Sequence, residues 1–359
     1  MTVGLITNFP DYVGLGKYAL ELFKELKKKA DVTLVACNDD GRTKGEVTVD
    51  GVNFPVLRKT LNAYMIYPKK IPDFQLYHAS NQFLARVADF KKPTVVTVTD
   101  LFFVKSSRNA PWISRLIMKK VFQSIKNADR VIAISENTKK DLTEMFGVDE
   151  EKIRLVHLGI DTKRYKRQDK KKARKKLGLP LDKKIVFNIG SESDLRKNAA
   201  NVFKSFYEAQ KEYPNLFLVK LGKRDESITQ LVKSLGIERK VLRMERAEEK
   251  DMPLLYSAAD VYLNLDIETG FGLPPFESMS CGTPIICSST GEFSELIGRS
   301  GLGADPLNPS EIKNELLLLL NDEKLRKKLI SNGLKASKDF TWKKAAEQTL
   351  KVYREIIDV

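Results

Sequence analysis

Short apolar runs recur along the chain, each followed by a polar loop and then by a stretch whose apolar positions fall at helical spacing. Val3 to Thr7 reads as a buried strand, Asn8 to Gly16 as a loop, and Ala19, Leu22, Phe23 and Leu26 predict a helix before a second strand, Val32 to Ala36. Val52 to Arg58, Leu76 to Ala79, Thr94 to Val98 and Val131 to Ser135 continue the strands, with a helix over Glu136 to Phe146. The rhythm restarts at Ile185 to Ile189 and runs through Leu216 to Leu221, Val241 to Met244, Val261 to Leu265 and Ile285 to Ser288. Strand, loop and helix in alternation predict an α/β fold with parallel sheets wrapped by helices, each half opening as a Rossmann-like unit does. A chain of 359 residues is too long for one ordinary core, so two domains are expected. Val156 to Asp161 reads as the link, placing the domains at residues 1–160 and 161–340, with a last helix over Trp342 to Ile357.

Two stretches stand outside this rhythm. Residues 111–127 predict an amphipathic helix with Trp112, Ile113, Leu116, Ile117, Val121 and Ile125 on one face and Arg115, Lys119 and Lys120 towards another. Such a face packs on a core or lies on a lipid surface. Residues 163–176 are dense in Lys and Arg and read as a solvated helix face or linker with no binding role.

Composition narrows the function classes. A hydrophobic share of 42% and a charged share of 30% describe a soluble globular protein. Thr2 to Asn8 runs directly into Phe9, Pro10 and Asp11, unlike a secretory leader, and Leu316 to Leu320 is far short of the ~20 apolar residues that span a bilayer. The expected location is cytoplasmic, with peripheral membrane contact at most. Cys37, Cys281 and Cys287 with two histidines suggest neither a disulfide framework nor a metal site. The net charge of +15 is spread evenly: residues 1–160 hold 25 basic and 18 acidic side chains and the remainder 37 and 29, or +7 and +8. That is no nucleic-acid stripe, and the usual nucleic-acid motifs are missing.

The densest chemistry lies in residues 268–289, ETGFGLPPFESMSCGTPIICSS. A strand empties into the turn Gly270-Phe271-Gly272, after which Pro274 and Pro275 open a short helix carrying Glu277 and ending at Gly282. Glycines let a backbone approach a ligand, and the N–H groups of a helix start suit a phosphate. Glu277, about one turn in, is placed to accept hydrogen bonds from a ribose diol. On the loop alone, an ordinary βα turn without a ligand fits equally well.

GFGLPPFES followed by CGTPII resembles the donor-nucleotide signature of retaining glycosyltransferases of the two-Rossmann-domain (GT-B) type, more narrowly their family-four-like mannosyl- and glucosyltransferases. The resemblance implies two facing Rossmann-like domains with an interdomain cleft, and a C-terminal helix, 341–359, packing back on the first. It implies hexosyl transfer from a UDP- or GDP-linked sugar to an acceptor hydroxyl with retention of configuration, with no metal and no further cofactor. Lys197, in Gly190-Ser191-Glu192-Ser193-Asp194-Leu195-Arg196-Lys197-Asn198, matches the family lysine on the diphosphate, and Arg196 is placed to assist. Glu277 matches the ribose clamp, Gly270, Phe271, Gly272 and Leu273 the donor loop, and Gly14 and Gly16 the glycine loop of the first domain. Arg246 and Ala247, after the Val241 to Met244 strand, are the expected rest for the nucleobase.

Three positions depart from the family pattern: Ser191 where many relatives have arginine, Thr99 where histidine commonly precedes Asp100, and Thr269 eight positions before Glu277, where a glutamate is common. Glu268, one residue earlier, is the candidate to reach the donor sugar in its place. His78, at the end of a strand, reads either as an acceptor-side group or as a hydrogen-bonded structural histidine. The departures leave open a nucleotide-sugar-binding regulatory protein with impaired catalysis, and a nucleotide-sugar epimerase or a phosphorylase would use the same scaffold. A glycan or lipid-linked acceptor follows only from the basic surface and the amphipathic helix.

Overall fold

A computed structural model of the chain describes residues 1–54, 57–101, 103–104, 112–267, 272–289 and 298–357. It divides into two compact units, Met1–Gly159 with Trp342–Val359, and Ile160–Thr341.

The first unit is built on a seven-stranded sheet. Its strands are β1 (Thr2–Thr7), β2 (Asp31–Asn38), β3 (Val47–Asp50), β4 (Leu76–Ala79), β5 (Thr94–Val98), β6 (Arg130–Ala133) and β7 (Ile153–Leu155), in the order β3-β2-β1-β4-β5-β6-β7. Every neighbouring pair is parallel. Val3, Leu5 and Ile6 of β1 and Val95, Val96 and Val98 of β5 are fully buried, which is why these strands read as continuous apolar runs rather than alternating ones. Helix α1 (Gly14–Leu26) buries Tyr18, Ala19, Leu22 and Leu26. Helix α2 spans Trp112–Gln123, and α3 (Glu136–Phe146) begins where the Ser135 hydroxyl accepts from the Thr138 N–H at 3.1 Å and ends at left-handed Gly147. The C-terminal helix Trp342–Ile357 packs against α1, and Arg130 and Arg154 both hold its Glu355, at 2.9 and 2.7 Å.

Among the described residues of the expected strand Val52 to Arg58, 52–54 and 57–58, none is in a strand. The ladder strand is the earlier Val47–Asp50, and Arg58–Leu61 is helical. Instead of a neighbouring strand, the Asn62 amide satisfies Val52, accepting from its N–H at 2.9 Å and donating to its carbonyl at 3.0 Å. The amphipathic stripe of α2 also divides. Ser114, Met118, Val121 and Phe122 are buried, while Trp112, Ile113 and Leu116 are exposed beside Arg115, Lys119 and Lys120.

The second unit carries β8 (Lys184–Ile189), β9 (Leu216–Leu221), β10 (Val241–Met244), β11 (Val261–Asn264), β12 (Ile285–Ser288) and β13 (Leu302–Ala304), in the order β10-β9-β8-β11-β12-β13, again wholly parallel. Helices α5 (Ala199–Glu212), α6 (Met252–Ala258) and α7 (Leu273–Ser280) pack on it, and α4 (Lys170–Leu177) packs on α6. The Lys- and Arg-rich run is not all solvated. Arg174 of α4 is buried and donates to Asp260 at 2.6 Å and to the Ala258 carbonyl at 2.9 Å, tying the helix to the sheet. Among the described residues no helix is long and apolar enough to cross a membrane.

Candidate active site

In an open parallel sheet, ligands gather at the carboxyl ends of the strands where the strand order reverses. In the second unit that point lies between β8 and β11. The chain leaves β8 through Gly190, whose φ of +147° favours glycine, and turns over residues 191–198 into α5. Asp194 caps the short Leu195–Lys197 turn, accepting from the Arg196 N–H at 3.1 Å, and its carboxylate grips the Arg196 guanidinium at 2.7 to 3.2 Å. Burial would raise the Asp194 carboxyl, but the Arg196 hydrogen bonds outweigh it and hold it below the usual range. Asn198, left-handed at φ 50°, sits at the N-cap of α5 with no side-chain cap on that helix; its amide donates instead to the Pro306 carbonyl at 2.6 Å. The first-turn N–H groups and positive end of α5 therefore face the same turn.

Lys197 crosses from this turn to β11. Its Nζ donates to Asp266 Oδ2 at 2.5 Å, so one ion pair joins the two strand ends that flank the switch point. Asp266 is 3% exposed, and burial pushes its carboxyl above the ordinary range against the opposing pull of Lys197. Two more contacts fix it in place: Ser288 Oγ donates to the Asp266 carbonyl at 2.6 Å, and the Ile267 N–H donates to the Arg196 carbonyl at 2.9 Å. Asn188 Oδ1, Asn264 Nδ2 and Asp266 Oδ1, all buried at the ends of β8 and β11, have no hydrogen-bond partner among the described residues. Beside them half-buried Arg243 pairs with buried Glu192, its Nε donating to Glu192 Oε1 at 3.0 Å.

Glu277 lies in α7, which starts at left-handed Gly272 with Leu273 and the two prolines in its first turn. The side chain is 6% exposed and its Oε2 accepts from the Tyr256 hydroxyl at 2.8 Å. One carboxylate oxygen of the expected ribose clamp is thus engaged by the core, because α7 is buried along Pro275–Ser280. Ser191 is half-buried with its hydroxyl 3.0 Å from that of Ser193, Arg246 is exposed and Ala247 half-buried. Glu268, Thr269, Gly270 and Phe271 lie outside the described residues.

In the first unit, Gly14 opens α1 with open space around it, while Gly16 packs so closely that a Cβ would lie 2.0 Å from the Pro10 carbonyl oxygen. His78 is fully buried and structural. Its Nδ1 meets the Tyr353 hydroxyl at 2.6 Å and its Nε2 the Thr97 hydroxyl at 2.7 Å, which leaves no ring nitrogen for an acceptor. Desolvation lowers its pKa to about 3. Thr99 is buried too, its N–H and hydroxyl both donating to Gln82 Oε1, at 3.2 and 3.1 Å, with half-buried Asp100 3.4 Å from the hydroxyl. Sequence reasoning missed Asp266 and the Asn8–Asn81 amide pair, 3.0 Å apart, which joins the ends of β1 and β4 at the first unit's own switch point. The signal for either was a polar residue within two positions of a strand's end.

Two family models match, the glycosyl transferases group 1 model over residues 169–336 and the glycosyltransferase family 4 model over residues 12–164. The chain belongs to the GT-B glycosyltransferases of the family-four-like group. The O-antigen chain mannosyltransferase B of Escherichia coli is 24% identical over 374 residues, covering 95% of this chain and 96% of that one. Against the D-inositol 3-phosphate glycosyltransferase of Acidothermus cellulolyticus, 28% identical over 242 residues, the match covers 64% of this chain and about half, 54%, of that protein's length. Among solved structures, sucrose-phosphate synthase from Thermosynechococcus elongatus superposes with a TM-score of 0.83 at 22% identity, covering 100% of this glycosyltransferase and 99% of that chain. Anabaena Alr3699/HepE in complex with UDP-glucose gives 0.79 at 18% identity, covering 99% and 100%. At these identities the two structures show the fold.

Proposed function

We propose that this glycosyltransferase moves a hexosyl group from a UDP- or GDP-linked sugar to an acceptor hydroxyl with retention of configuration and without a metal. The observation that carries the reading is Lys197, fixed by Asp266 at the switch point beside the uncapped start of α5. The UDP-glucose bound to Anabaena Alr3699/HepE supports a donor of this class. As the bond to the anomeric carbon breaks, negative charge builds on the leaving diphosphate. A fixed ammonium and preorganised helix N–H groups stabilise that charge more than they stabilise the bound donor. Arg196, close by on the same turn, adds a second cation when it exchanges Asp194 for phosphate. In a retaining displacement the departing phosphate oxygen takes the acceptor proton on the face it leaves, so no strong protein base is needed.

A lipid-linked or surface glycan acceptor fits the exposed Trp112, Ile113 and Leu116 beside Arg115, Lys119 and Lys120, a face suited to the surface of an anionic bilayer. The first test is calorimetric titration with UDP, GDP and ADP, followed by product analysis with the matching nucleotide sugars. Retention appears as an unchanged anomeric proton coupling in the product. Absence of binding by all three nucleotides, or an inverted product, refutes the reading.

A further inference from the structure

Lys220 is the penultimate residue of β9, at the carboxyl end of that strand between β8 and β10, in an otherwise apolar run, and is 1% exposed. Burying an ammonium costs several kcal/mol unless an opposite charge accompanies it. Its Nζ donates to two backbone oxygens, a short bond to the Gly190 carbonyl and one of 3.5 Å to the Leu221 carbonyl. Among the described residues it has no ion pair. The neighbouring cations are each matched: Lys197 with Asp266, Arg196 with Asp194 and Arg243 with Glu192. Among the described residues these are four cations against three carboxylates, a charge of +1, and Lys220 is the unmatched member.

We propose that Lys220 is a positioning residue for the donor diphosphate, holding the Gly190–Ser191 peptide in register and supplying the unmatched positive charge behind it. This rests on the donor reading above. A peptide unit is planar and trans, so its carbonyl and the following N–H point in opposite directions. With the Gly190 carbonyl drawn onto Lys220, the Ser191 N–H is aimed away from it. Gly222, at φ +144°, packs so tightly on this carbonyl that a Cβ there would lie 2.1 Å from the oxygen, which leaves the peptide little freedom to turn. The stem of Lys197 lies against the Cα of Gly190, where a Cβ would lie 2.7 Å from the Lys197 Cγ. Two lysines thus bracket one peptide, Lys197 partly exposed and Lys220 buried behind it.

Burial lowers the Lys220 ammonium to about 8. The charged groups around it are Glu192 after β8 and Asp266 after β11, which favour its protonation, and Lys197 and Arg243, which oppose it. As pH rises through that value the ammonium is lost, and with it the charge and the donor to Gly190. Diphosphate affinity therefore falls with rising pH.

The test titrates the wild type and Lys220→Met with the nucleoside diphosphate that the wild type binds, and with its nucleoside, between pH 7 and 9. The nucleoside arm accounts for ionisation of the base. For the wild type, diphosphate affinity is expected to drop about fivefold across that range relative to the nucleoside, as the ammonium goes from mostly protonated to mostly neutral. For Lys220→Met, it is expected to be about tenfold weaker at pH 7 and flat with pH, as for loss of one charge-assisted interaction. Thermal stability should not fall, since a buried charge is replaced by an apolar chain of similar length. Wild-type affinity and pH profile in the variant overturn the role of Lys220 alone; no nucleotide binding by the wild type overturns the donor reading itself. If the variant does not fold, the wild-type profile decides by itself, a flat one overturning the proposal.

Discussion

Replacing Lys197 by Met removes the ammonium that links the two strand ends and leaves the Asp266 carboxylate buried without its partner. At 2.5 Å two unit charges attract by about 7 kcal/mol at an effective dielectric of about 20, most of it offset by desolvation. Breaking a buried pair from one side costs about 3–5 kcal/mol when the remaining charge has no escape. Asp266 has one: burial already raises its carboxyl, and without Lys197 it rises further, so it takes up a proton. An acid whose folded pKa lies above its unfolded value binds more protons in the folded chain, so stability is retained at low pH and lost as pH rises through the folded value. The variant's deficit is therefore expected to be about 2–3 kcal/mol at pH 8 and smaller near pH 5. Nucleoside diphosphate affinity should fall about 10- to 100-fold, the range for one hydrogen bond to a charged group. Calorimetric titration and paired thermal melts at pH 5 and 8 read both quantities. Wild-type nucleotide affinity in the variant would show that Lys197 does not reach the phosphates. A deficit equal at both pH values would show that Asp266 does not hold the pair as described.

Tyr256→Phe removes the hydroxyl that donates to Glu277 and should cost about 1–3 kcal/mol of stability with at most a few-fold loss of nucleotide affinity. Glu277→Ala should weaken binding by more than tenfold; if it lowers only the melting temperature, Glu277 is a core carboxylate and the ribose role is wrong. Buried neutral His78, with its pKa lowered to about 3, gives stability that is full above its unfolded value near 6.5 and is lost as pH falls towards 3. Melts of wild type and His78→Gln across that window should show a slope in the first that the second lacks. Trp112→Ala with Leu116→Ala should abolish sedimentation with anionic vesicles while leaving the melt unchanged, because both side chains are exposed; unchanged sedimentation removes the bilayer from the proposal.

What could be read from the sequence was whatever a single strand or helix decides for itself. β1, β5, β8 and β11 are buried along most of their length, so each writes a mainly apolar run that does not alternate, with Thr97 and Asn188 among the buried polar exceptions, and the alternation with helices then gives parallel sheets. The helix at Leu273–Ser280 was legible because its prolines suit a first turn. Val52 to Arg58 was misread because its apolar residues imitate a strand, while the partner that satisfies Val52 is a side chain ten positions later. In α2 the expected single stripe joined opposite faces. Nine residues at about 100° each place Val121 half a turn from Trp112, so one packs inward and the other is exposed. The site itself depends on strand order. Asp266 reads as a loop residue until β11 is known to lie beside β8, and Lys220 reads as a flaw in an apolar run until β9 is known to pass beneath Gly190. Lys197 and Asp266 are 69 positions apart, further than any local pattern extends. The family motif could supply Lys197 without its partner, because a motif records which residue meets the ligand, whereas the residues that hold it in place are set by the neighbours the sheet brings to it.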